Sequence, residues 1–305
     1  MIGKIAVSLL SLFLAFIRLL VPLMRLRFRF LTGESQVNLE NSPMNATFLL
    51  KRATSAEVAA SLISSVHSPG GHLAGFLDNL EELHELEKLE LILVLVKLEH
   101  FEVAQISSWA NRLPNVTIIE TGTLVSIYEA WNLAIMNARG ELITNINVDD
   151  KRFPSSVLRQ IDYMNKHPTV MVAASNYLEL SNGQLRFVNA RDQTLSRLVF
   201  LRENPPHAAP IWRASLHRDF GYFNVNFGSS GDTDFWLRLL LREVRFGSIP
   251  GDPLYIYSKN PEGKSTSRLS QGQVEWAKSL EKNSFLIAKQ LLKKISHVAV
   301  RALAK

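Results

Sequence analysis

Ile143-Thr-Asn-Ile-Asn-Val-Asp-Asp150 is an apolar run with β-branched residues that ends in two adjacent carboxylates. The run predicts a buried strand, because β-branched side chains fit a pleated, covered surface. Two like charges at its end repel each other unless a cation lies between them. Mg²⁺ is usually held by one or two carboxylates together with substrate phosphates, so Asp149 and Asp150 are candidate ligands of a divalent metal, Mg²⁺ or Mn²⁺. The alternative, a solvated Asp-Asp turn, stays open on this stretch alone. We call residues 147–150 the acidic tip.

Helical patterns flank this strand on both sides. Before it, Ser126-Ile-Tyr-Glu129 has the form of a capping box, apolar residues recur at helical spacing, and Gly140 marks the predicted end. After it, Pro154 and Ser155 open a second helical pattern, and residues 169–174 form another apolar run. The order helix, strand, acidic tip, helix, strand is typical of a parallel α/β sheet, in which ligands lie outside the carboxyl ends of the strands.

Three further strands are predicted upstream, at residues 58–66, 89–96 and 116–120. Helical patterns at residues 72–86 and 101–113 separate them. The middle strand is apolar along nearly its whole length, so we expect helices to cover both faces of the sheet. The sequence therefore predicts an α/β fold with a mostly parallel, Rossmann-like sheet flanked by helices.

Composition bounds the organisation of the chain. Its 305 residues, 47% of them hydrophobic, are enough for one sizeable core, so we expect one main domain with terminal appendages. The main domain is predicted at residues 58–270, after a connector at residues 32–57. No cysteine is present, which excludes disulfides and thiolate metal sites and is typical of a reducing compartment.

Positive charge is concentrated at the two ends. The formal net charge is +6, yet residues 1–30 carry five Lys and Arg residues and residues 282–305 carry six, with no Asp or Glu in either segment. The residues between them therefore have a net charge of −5. Basic tails also occur in nucleic-acid-binding proteins, but the interleaved aromatics and the binding motifs of such proteins are missing, so no nucleic acid partner is expected.

We interpret both ends as membrane-associated. Residues 1–31 contain an apolar run that Arg18 interrupts, close to the ~20 apolar residues of a spanning helix, and predict a membrane anchor or an interfacial helix. A secretory signal and a helix docked on the domain are the alternatives. Residues 271–305 predict a basic amphipathic helix, which either contacts membrane lipid or packs on the domain as an ordinary surface helix. Because positive charges follow the first apolar run, a spanning helix would place the domain at the cytoplasmic face of the membrane.

A second acidic cluster lies in Gly228-Ser-Ser-Gly-Asp-Thr-Asp-Phe-Trp-Leu-Arg238. Asp232 and Asp234 follow glycines and come immediately before apolar residues at helical spacing. A functional role for either carboxylate stays open at this point. The alternative is that they only cap the helix, since acidic side chains stabilise helix N-termini.

Several motifs, taken in order, resemble one known family. They are Ser126-Ile-Tyr-Glu-Ala-Trp-Asn-Leu-Ala134, Ala138-Arg-Gly140, Asn147-Val-Asp-Asp150, Ile211-Trp-Arg213, His217, Gly221-Tyr-Phe223 and Gly231-Asp-Thr-Asp-Phe-Trp-Leu-Arg238. Over residues 58–268 the chain is similar to the family 2 glycosyltransferases with a GT-A fold. The resemblance implies transfer of a sugar, with inversion, from a nucleotide diphosphate sugar to a hydroxyl of a saccharide or lipid-linked acceptor, in envelope or polysaccharide synthesis.

The resemblance also implies roles for the acidic residues. Asp149 falls at the second acidic position of the family's Asp-x-Asp motif and is the implied metal ligand, with Asp150 as the family's additional Asp. Asn147 takes the first position, where an amide forms hydrogen bonds but supplies no charge to a metal. Asp232 matches the Asp of the family's Glu-Asp pair and is the implied general base, with Gly231 where Glu is more usual.

Donor binding is implied for a further group of residues. They are Ser65, His67, Asn132, Asn147, Arg213 and Arg268. Ser65 and His67 end the first predicted strand, where the family binds the nucleotide base. A structural helix position for Asn132 is an equal alternative. We interpret Trp131 and Trp236 as core residues rather than sugar platforms, and His217 as a satisfied surface histidine.

Two other functions stay open on the sequence. Asn147 departs from the family pattern, and Lys97-Leu-Glu-His100 stands where many relatives carry an Asp. Both departures are compatible with a catalytically silent protein that only binds a nucleotide sugar. Adjacent carboxylates at Asp149 and Asp150 are also compatible with a metal-dependent phosphohydrolase.

Overall fold

The structure of the chain, a computed structural model, describes residues 46–51, 58–84, 89–190, 206 and 209–259, together with residues 275, 278–280, 282, 283, 286 and 287. These residues all belong to one compact unit, Pro43–Lys305. The predicted anchor at residues 1–31 and most of residues 271–305 lie outside the described residues. Within the described part of the chain, no helix has both the length and the apolar character needed to cross a membrane.

Strands and helices alternate along most of the described chain. The strands are β1 (Ala46–Lys51), β2 (Ala60–Val66), β3 (Leu89–Val96), β4 (Val116–Thr121), β5 (Leu142–Asn145), β6 (Lys151–Arg152), β7 (Val172–Ser175), β8 (Tyr177–Ser181), β9 (Gln184–Val188), β10 (Ile211–Arg213), β11 (Phe246–Ile249) and β12 (Tyr255–Ser258). The helices are α1 (Leu73–His84), α2 (His100–Ala110), α3 (Ile127–Asn137), α4 (Ser156–Lys166), α5 (Ser215–Phe220) and α6 (Gly231–Leu241), and a short 3₁₀ turn, Gly70–His72, leads into α1.

Eight strands form one sheet in the order β1-β4-β3-β2-β5-β10-β7-β11. Neighbours among β4, β3, β2 and β5 are parallel, and so are β7 and β11. β1 and β10 run antiparallel to their neighbours. The mostly parallel sheet confirms the predicted α/β class. We call the edge at which β2 to β5 end the carboxyl edge.

Alternate residues of β3 face two different cores. Leu91 and Leu93 belong to a cluster that includes the apolar sides of α1 and α2, whereas Ile92 and Val94 belong to one that includes those of α3 and α6. All of β3 is buried, which explains why its sequence is nearly continuous in apolar residues. Each such side chain contributes about 1.5–3 kcal/mol of transfer free energy to folding.

The first strand was not predicted. Residues 46–51, expected to be part of a connector, form β1 at one border of the sheet and pair antiparallel with β4. Ala46 is the partner of Thr121, the last residue of β4, so the chain enters the sheet at the carboxyl edge. Phe48 and Leu49 stay exposed. Because no alternation of buried and exposed residues marks β1 in the sequence, it is recognisable as a strand only from its pairing with β4.

A small second sheet has the strand order β6-β12-β8-β9. β8 and β9 form the hairpin predicted from Ser181-Asn-Gly183, with positive φ angles of 50° at Asn182 and 74° at Gly183, as a type I′ turn requires. β12 pairs with β6, which starts immediately after Asp150. The small sheet thus brings the end of β12 to the acidic tip.

Candidate active site

The acidic tip lies just beyond the carboxyl end of β5, as predicted. Pairing with β2 continues for one residue past the strand, since Ile146 N donates to Ile63 O at 3.1 Å. On the far side of the tip, the fully buried Arg152 donates to Asn145 O through Nε and Nη2, at 3.2 and 2.7 Å. These bonds close both ends of the tip against the sheet, so its position is set by the core.

The two carboxylates of the tip have different environments. Asp149 is exposed, whereas Asp150 is 8% exposed. Asp150 accepts from Asn147 Nδ2 at 3.0 Å and from Ser258 N at 2.9 Å. Burial, reinforced by the charge of Asp149, raises the pKa of Asp150 to about 7. Asp150 therefore fastens the tip to β12, and Asp149 faces solvent.

The acidic tip is compatible with a divalent metal ion for which the protein supplies only one or two ligands. Among the described residues no group of three or more His, Asp or Glu side chains is arranged to hold a metal ion. Asp149 offers an exposed hard oxygen ligand, whereas both oxygens of the neighbouring Asp150 already accept hydrogen bonds. This donor set suits Mg²⁺ or Mn²⁺ when one or two carboxylates are completed by substrate phosphates.

Asp232 is the second residue of α6 and is half-buried. Tyr128 Oη donates to its Oδ1 at 2.9 Å, and Thr233 Oγ1 lies 3.4 Å from the same oxygen. Tyr128 is in the first turn of α3, which begins six residues after the carboxyl end of β4. Asp232 is therefore held at the carboxyl edge, the same edge beyond which Asp149 lies.

Gly231 makes room for the Tyr128 ring. A Cβ atom at position 231 would lie 2.7–2.9 Å from three ring carbons of Tyr128, which is closer than real contacts allow. Any larger residue at this position would displace the ring. The departure from the family's Glu-Asp pair thus has a steric cause within this chain.

A C-terminal carboxylate that the sequence did not single out supports the Asp232 loop. Glu275 is 4% exposed and accepts from the backbone N–H groups of Gly228, Ser229 and Ser230, at 2.7, 2.8 and 2.9 Å. One helical turn later, Ser279 Oγ donates to Asp234 Oδ1 at 2.8 Å. The signal in the sequence is a polar stripe at helical spacing, Glu275, Ser279 and Asn283, all of which are buried. The described part of the C-terminal segment therefore packs on the domain through a polar face.

Ser65 and His67 lie at the carboxyl edge. Ser65 is half-buried in β2, and the exposed His67 follows the last residue of that strand. β2 is the direct neighbour of β5, with Ile63 opposite Asn145. The structure thus brings these two predicted donor contacts to the edge that carries the acidic tip.

Arg213 lies elsewhere. It pairs with Leu142, the first residue of β5, and is therefore at the edge opposite the acidic tip. Its guanidinium donates to Val170 O at 3.0 Å and to Met164 O at 2.9 Å. The structure does not bring Arg213 together with the acidic tip, because antiparallel β10 carries its end to the opposite edge. Its bonds instead fix the connection between α4 and β7.

Asn132 has a structural environment. It is fully buried, its Nδ2 donates to Phe223 O at 2.9 Å, and its Oδ1 accepts from Phe223 N at 3.1 Å. Both ends of the amide are thus engaged with one backbone unit, so the predicted direct contact with a donor finds no exposed atom. Arg268, the remaining predicted donor contact, lies outside the described residues.

The aromatic residues near α6 form core. Trp131 and Trp236 are 7% and 1% exposed, which confirms their interpretation as core residues. His217 is buried rather than on the surface: Trp212 Nε1 donates to its Nε2 at 2.9 Å, and its Nδ1 lies 3.1 Å from Gly221 O. Burial lowers the pKa of His217 to about 4, so it is a neutral core residue.

The family model for "Glycosyl transferase family 2" matches residues 72–220, a segment that contains the acidic tip and ends before Asp232. Over this segment, which is just under half of the chain, the sequence is similar to glycosyl transferase family 2. No curated protein sequence matches the chain. The matched segment contains the helix, strand, acidic tip, helix, strand order around β5.

Solved glycosyltransferase structures have a similar fold. Residues 1–349 of S. aureus TarS in complex with UDP-GlcNAc give a TM-score of 0.62 at 16% identity, covering 75% of this chain and 66% of that chain. The longer S. aureus TarS structure gives 0.56 at 17% identity, with 73% and 42% covered. The mannosyltransferase PcManGT from Pyrobaculum calidifontis, with GDP-Man and Mn²⁺, gives 0.52 at 15% identity, with 73% and 62% covered. At these identities the similarity establishes the α/β, GT-A-like fold, and the chain spans less than two thirds of each of these three structures.

Proposed function

We propose that this chain is an inverting glycosyltransferase that moves a sugar from a nucleotide diphosphate sugar to an acceptor hydroxyl. The observation that carries the proposal is the location of two carboxylates at one edge of the sheet: the exposed Asp149 lies beyond β5, and Asp232 is held there by Tyr128 of α3. The match of residues 72–220 to the family 2 model and the fold similar to that of glycosyltransferases solved with UDP-GlcNAc or GDP-Man support it.

Asp232 is the proposed general base. The acceptor hydroxyl attacks the anomeric carbon of the donor, its proton passes to the Asp232 carboxylate, and the bond from the anomeric carbon to the diphosphate oxygen breaks. Attack on the face opposite the leaving group inverts the anomeric configuration. A carboxylate within hydrogen-bond reach of the hydroxyl typically contributes about 10²–10⁴-fold to such a step.

Asp149 is the proposed ligand of a divalent cation, with Asp150 beside it. When bound, the cation offsets the negative charge that develops on the departing nucleoside diphosphate. Ser65 and His67 are the proposed contacts of the nucleotide end of the donor, and Asn147 orients Asp150 through its side-chain amide. The Mn²⁺ in the GDP-Man complex of a structurally similar mannosyltransferase supports a metal-assisted reaction.

The acceptor and the location of the protein are proposed more broadly. An acceptor hydroxyl on a saccharide or lipid-linked molecule, in envelope or polysaccharide synthesis, follows from the family resemblance. We propose contact with membrane lipid through the terminal segments, at the cytoplasmic face. The five Lys and Arg residues among residues 1–30 and their apolar neighbours support this arrangement.

Asp232→Asn provides the test. The purified chain is screened against a panel of nucleotide sugars with Mn²⁺, and both nucleoside diphosphate release and sugar transfer are measured. We expect the variant to bind the donor with unchanged affinity while transfer falls at least about 100-fold. Transfer retained in the variant would remove Asp232 from this role.

The same screen tests a second candidate function, a protein that binds a nucleotide sugar without catalysis. Asn147 favours it, because an amide at this position adds no charge to a metal site. Tight donor binding by the wild-type protein, without release of nucleoside diphosphate in the presence of any divalent cation tested, would support that function instead. Phosphate release from simple esters would indicate a phosphohydrolase.

A further inference from the structure

We infer that Tyr128 is the positioning residue of Asp232: its hydroxyl holds one carboxylate oxygen and thereby sets the direction in which the other meets the acceptor hydroxyl. The inference rests on the proposed function, in which Asp232 is the base. Two donors converge on Oδ1 of Asp232, Tyr128 Oη at 2.9 Å and Thr233 Oγ1 at 3.4 Å. Tyr128 is the closer one and comes from a different element.

The Tyr128 ring has little freedom to move. It is 3% exposed and packs at 88° against Trp131, with centroids 5.6 Å apart, and at 35° against Phe223, with centroids 5.9 Å apart. These neighbours belong to the buried cluster behind α3 and α6. A hydroxyl fixed on such a ring is itself fixed in space, so the core sets the orientation of the carboxylate.

The chemistry of the pair favours a persistent bond. Burial, followed by the charge of Asp232, raises the pKa of Tyr128 well above its ordinary value, so the phenol keeps its proton and donates at any working pH. A hydrogen bond from a neutral donor to a carboxylate is stronger than one between neutral groups. A buried hydroxyl without a partner is unfavourable, so the same bond also satisfies Tyr128.

Gly231 gives independent evidence that the pair is built into the fold. The Tyr128 ring occupies the space that a Cβ atom at position 231 would need, at 2.7–2.9 Å. The backbone next to Asp232 and the ring beneath it therefore fit only with glycine at this position. The loop before Gly231 is tied separately by Glu275, which accepts from three successive backbone N–H groups.

Tyr128→Phe is the direct test, because it removes the hydroxyl and keeps the ring. We expect kcat for sugar transfer to fall roughly tenfold, part of what the base itself contributes, while KM for the donor and the thermal midpoint stay near wild type. Tyr163→Phe, a tyrosine on α4 away from the site, serves as the matched control and should transfer normally. Transfer at the wild-type rate in Tyr128→Phe, with Asp232→Asn inactive in the same assay, would overturn the inference and leave the proposed function intact. An inactive wild-type protein would instead count against the proposed function.

Gly231→Ala tests the pair without touching the hydroxyl. The added methyl group would push the ring away, so transfer should fall, again through kcat. If both substitutions act by separating Tyr128 from Asp232, their effects should not multiply. The kcat of the double variant should then lie within about twofold of that of the less active single variant. Losses that multiply in the double variant would show two independent effects and contradict the inference.

Discussion

Asn147 donates a 3.0 Å hydrogen bond to the buried carboxylate of Asp150. A carboxylate in place of this amide would add a negative charge next to Asp150, in addition to that of Asp149. The pKa of Asp150 is already raised to about 7, mainly by burial. Ser258 N donates to the other oxygen of Asp150 at 2.9 Å. Both oxygens of Asp150 therefore accept hydrogen bonds from neutral donors, and within the tip only Asp149 presents an exposed carboxylate.

Asn147→Asp should make the tip depend on metal. A carboxylate in place of the amide removes a donor from Asp150 and adds a like charge, so we expect a loss of roughly 1–3 kcal/mol of stability in chelator. Mn²⁺ should then raise the thermal midpoint by more than it does in the wild-type protein, because an additional carboxylate strengthens the site. Asn147→Ala, which removes the donor without adding charge, is the control. Equal Mn²⁺ effects in all three proteins would contradict this account of Asn147.

Glu275→Gln should weaken the loop that leads to Asp232. The carboxylate accepts from three backbone N–H groups, and an amide offers only one accepting oxygen, so some of these buried donors lose their partner. We expect about 1–3 kcal/mol of lost stability in urea titrations and a lower rate of sugar transfer. The exposed Lys278, in the same helical stretch, provides the control Lys278→Ala, which should change neither quantity. A fully stable and active Glu275→Gln protein would assign the loop geometry to other contacts.

His217 should make the protein less stable in mild acid. Its folded pKa of about 4 lies below the ordinary value of 6.5, mainly because of burial, so between these values the unfolded chain binds a proton that the native state excludes. Stability is therefore retained above pH 6.5 and falls as the pH drops towards 4, by up to about 3 kcal/mol.

His217→Gln should remove this part of the pH dependence. Glutamine retains an acceptor for Trp212 Nε1 and a donor for Gly221 O, so the two bonds survive without a titrating group. Urea midpoints at about pH 7.5 and about pH 4.5 measure the difference between the two proteins. If the urea midpoint of the wild-type protein falls no further than that of the variant, groups other than His217 cause the loss of stability in acid.

Much of the sheet was predictable because burial leaves a direct mark on the sequence. β3 was predicted at its observed bounds, since every residue in it is covered. The capping box before α3 is present, with Glu129 N donating to Ser126 Oγ at 3.2 Å and Ser126 N donating to Glu129 Oε2 at 2.7 Å. The acidic tip follows from the same logic, because a buried strand must end where polar residues begin.

Contacts between distant segments were not predictable in the same way. Arg213 ends a strand that inserts antiparallel between β5 and β7, and nothing in its local sequence shows that reversal. Glu275 meets the loop at residues 228–230 across 45–47 positions of sequence. Both depend on how segments pair in space, which the periodicity of one segment does not encode.

Gly140 shows a correct prediction with a different cause. It was expected as the end of the helix before the acidic tip, and α3 indeed ends at Asn137. A Cβ atom at position 140 would lie 2.6 Å from Ser61 N, so glycine is required by the close approach to β2. Its N–H also donates to Ser61 Oγ at 3.0 Å. The residue was identified from a stop signal and is explained by packing.

The register of β1 determines how the domain responds to a pull from its upstream end. Ala46 faces Thr121 and Lys51 faces Thr117, so the two strands overlap along most of β1. The hydrogen bonds between β1 and β4 lie perpendicular to the strand axis. A force applied at Ala46 along that axis therefore loads these bonds in shear, so that they must break together. The domain should therefore resist unfolding when it is pulled by a bead, resin or lipid layer attached upstream of Ala46. The force would act at the carboxyl edge, beyond which Asp149 lies.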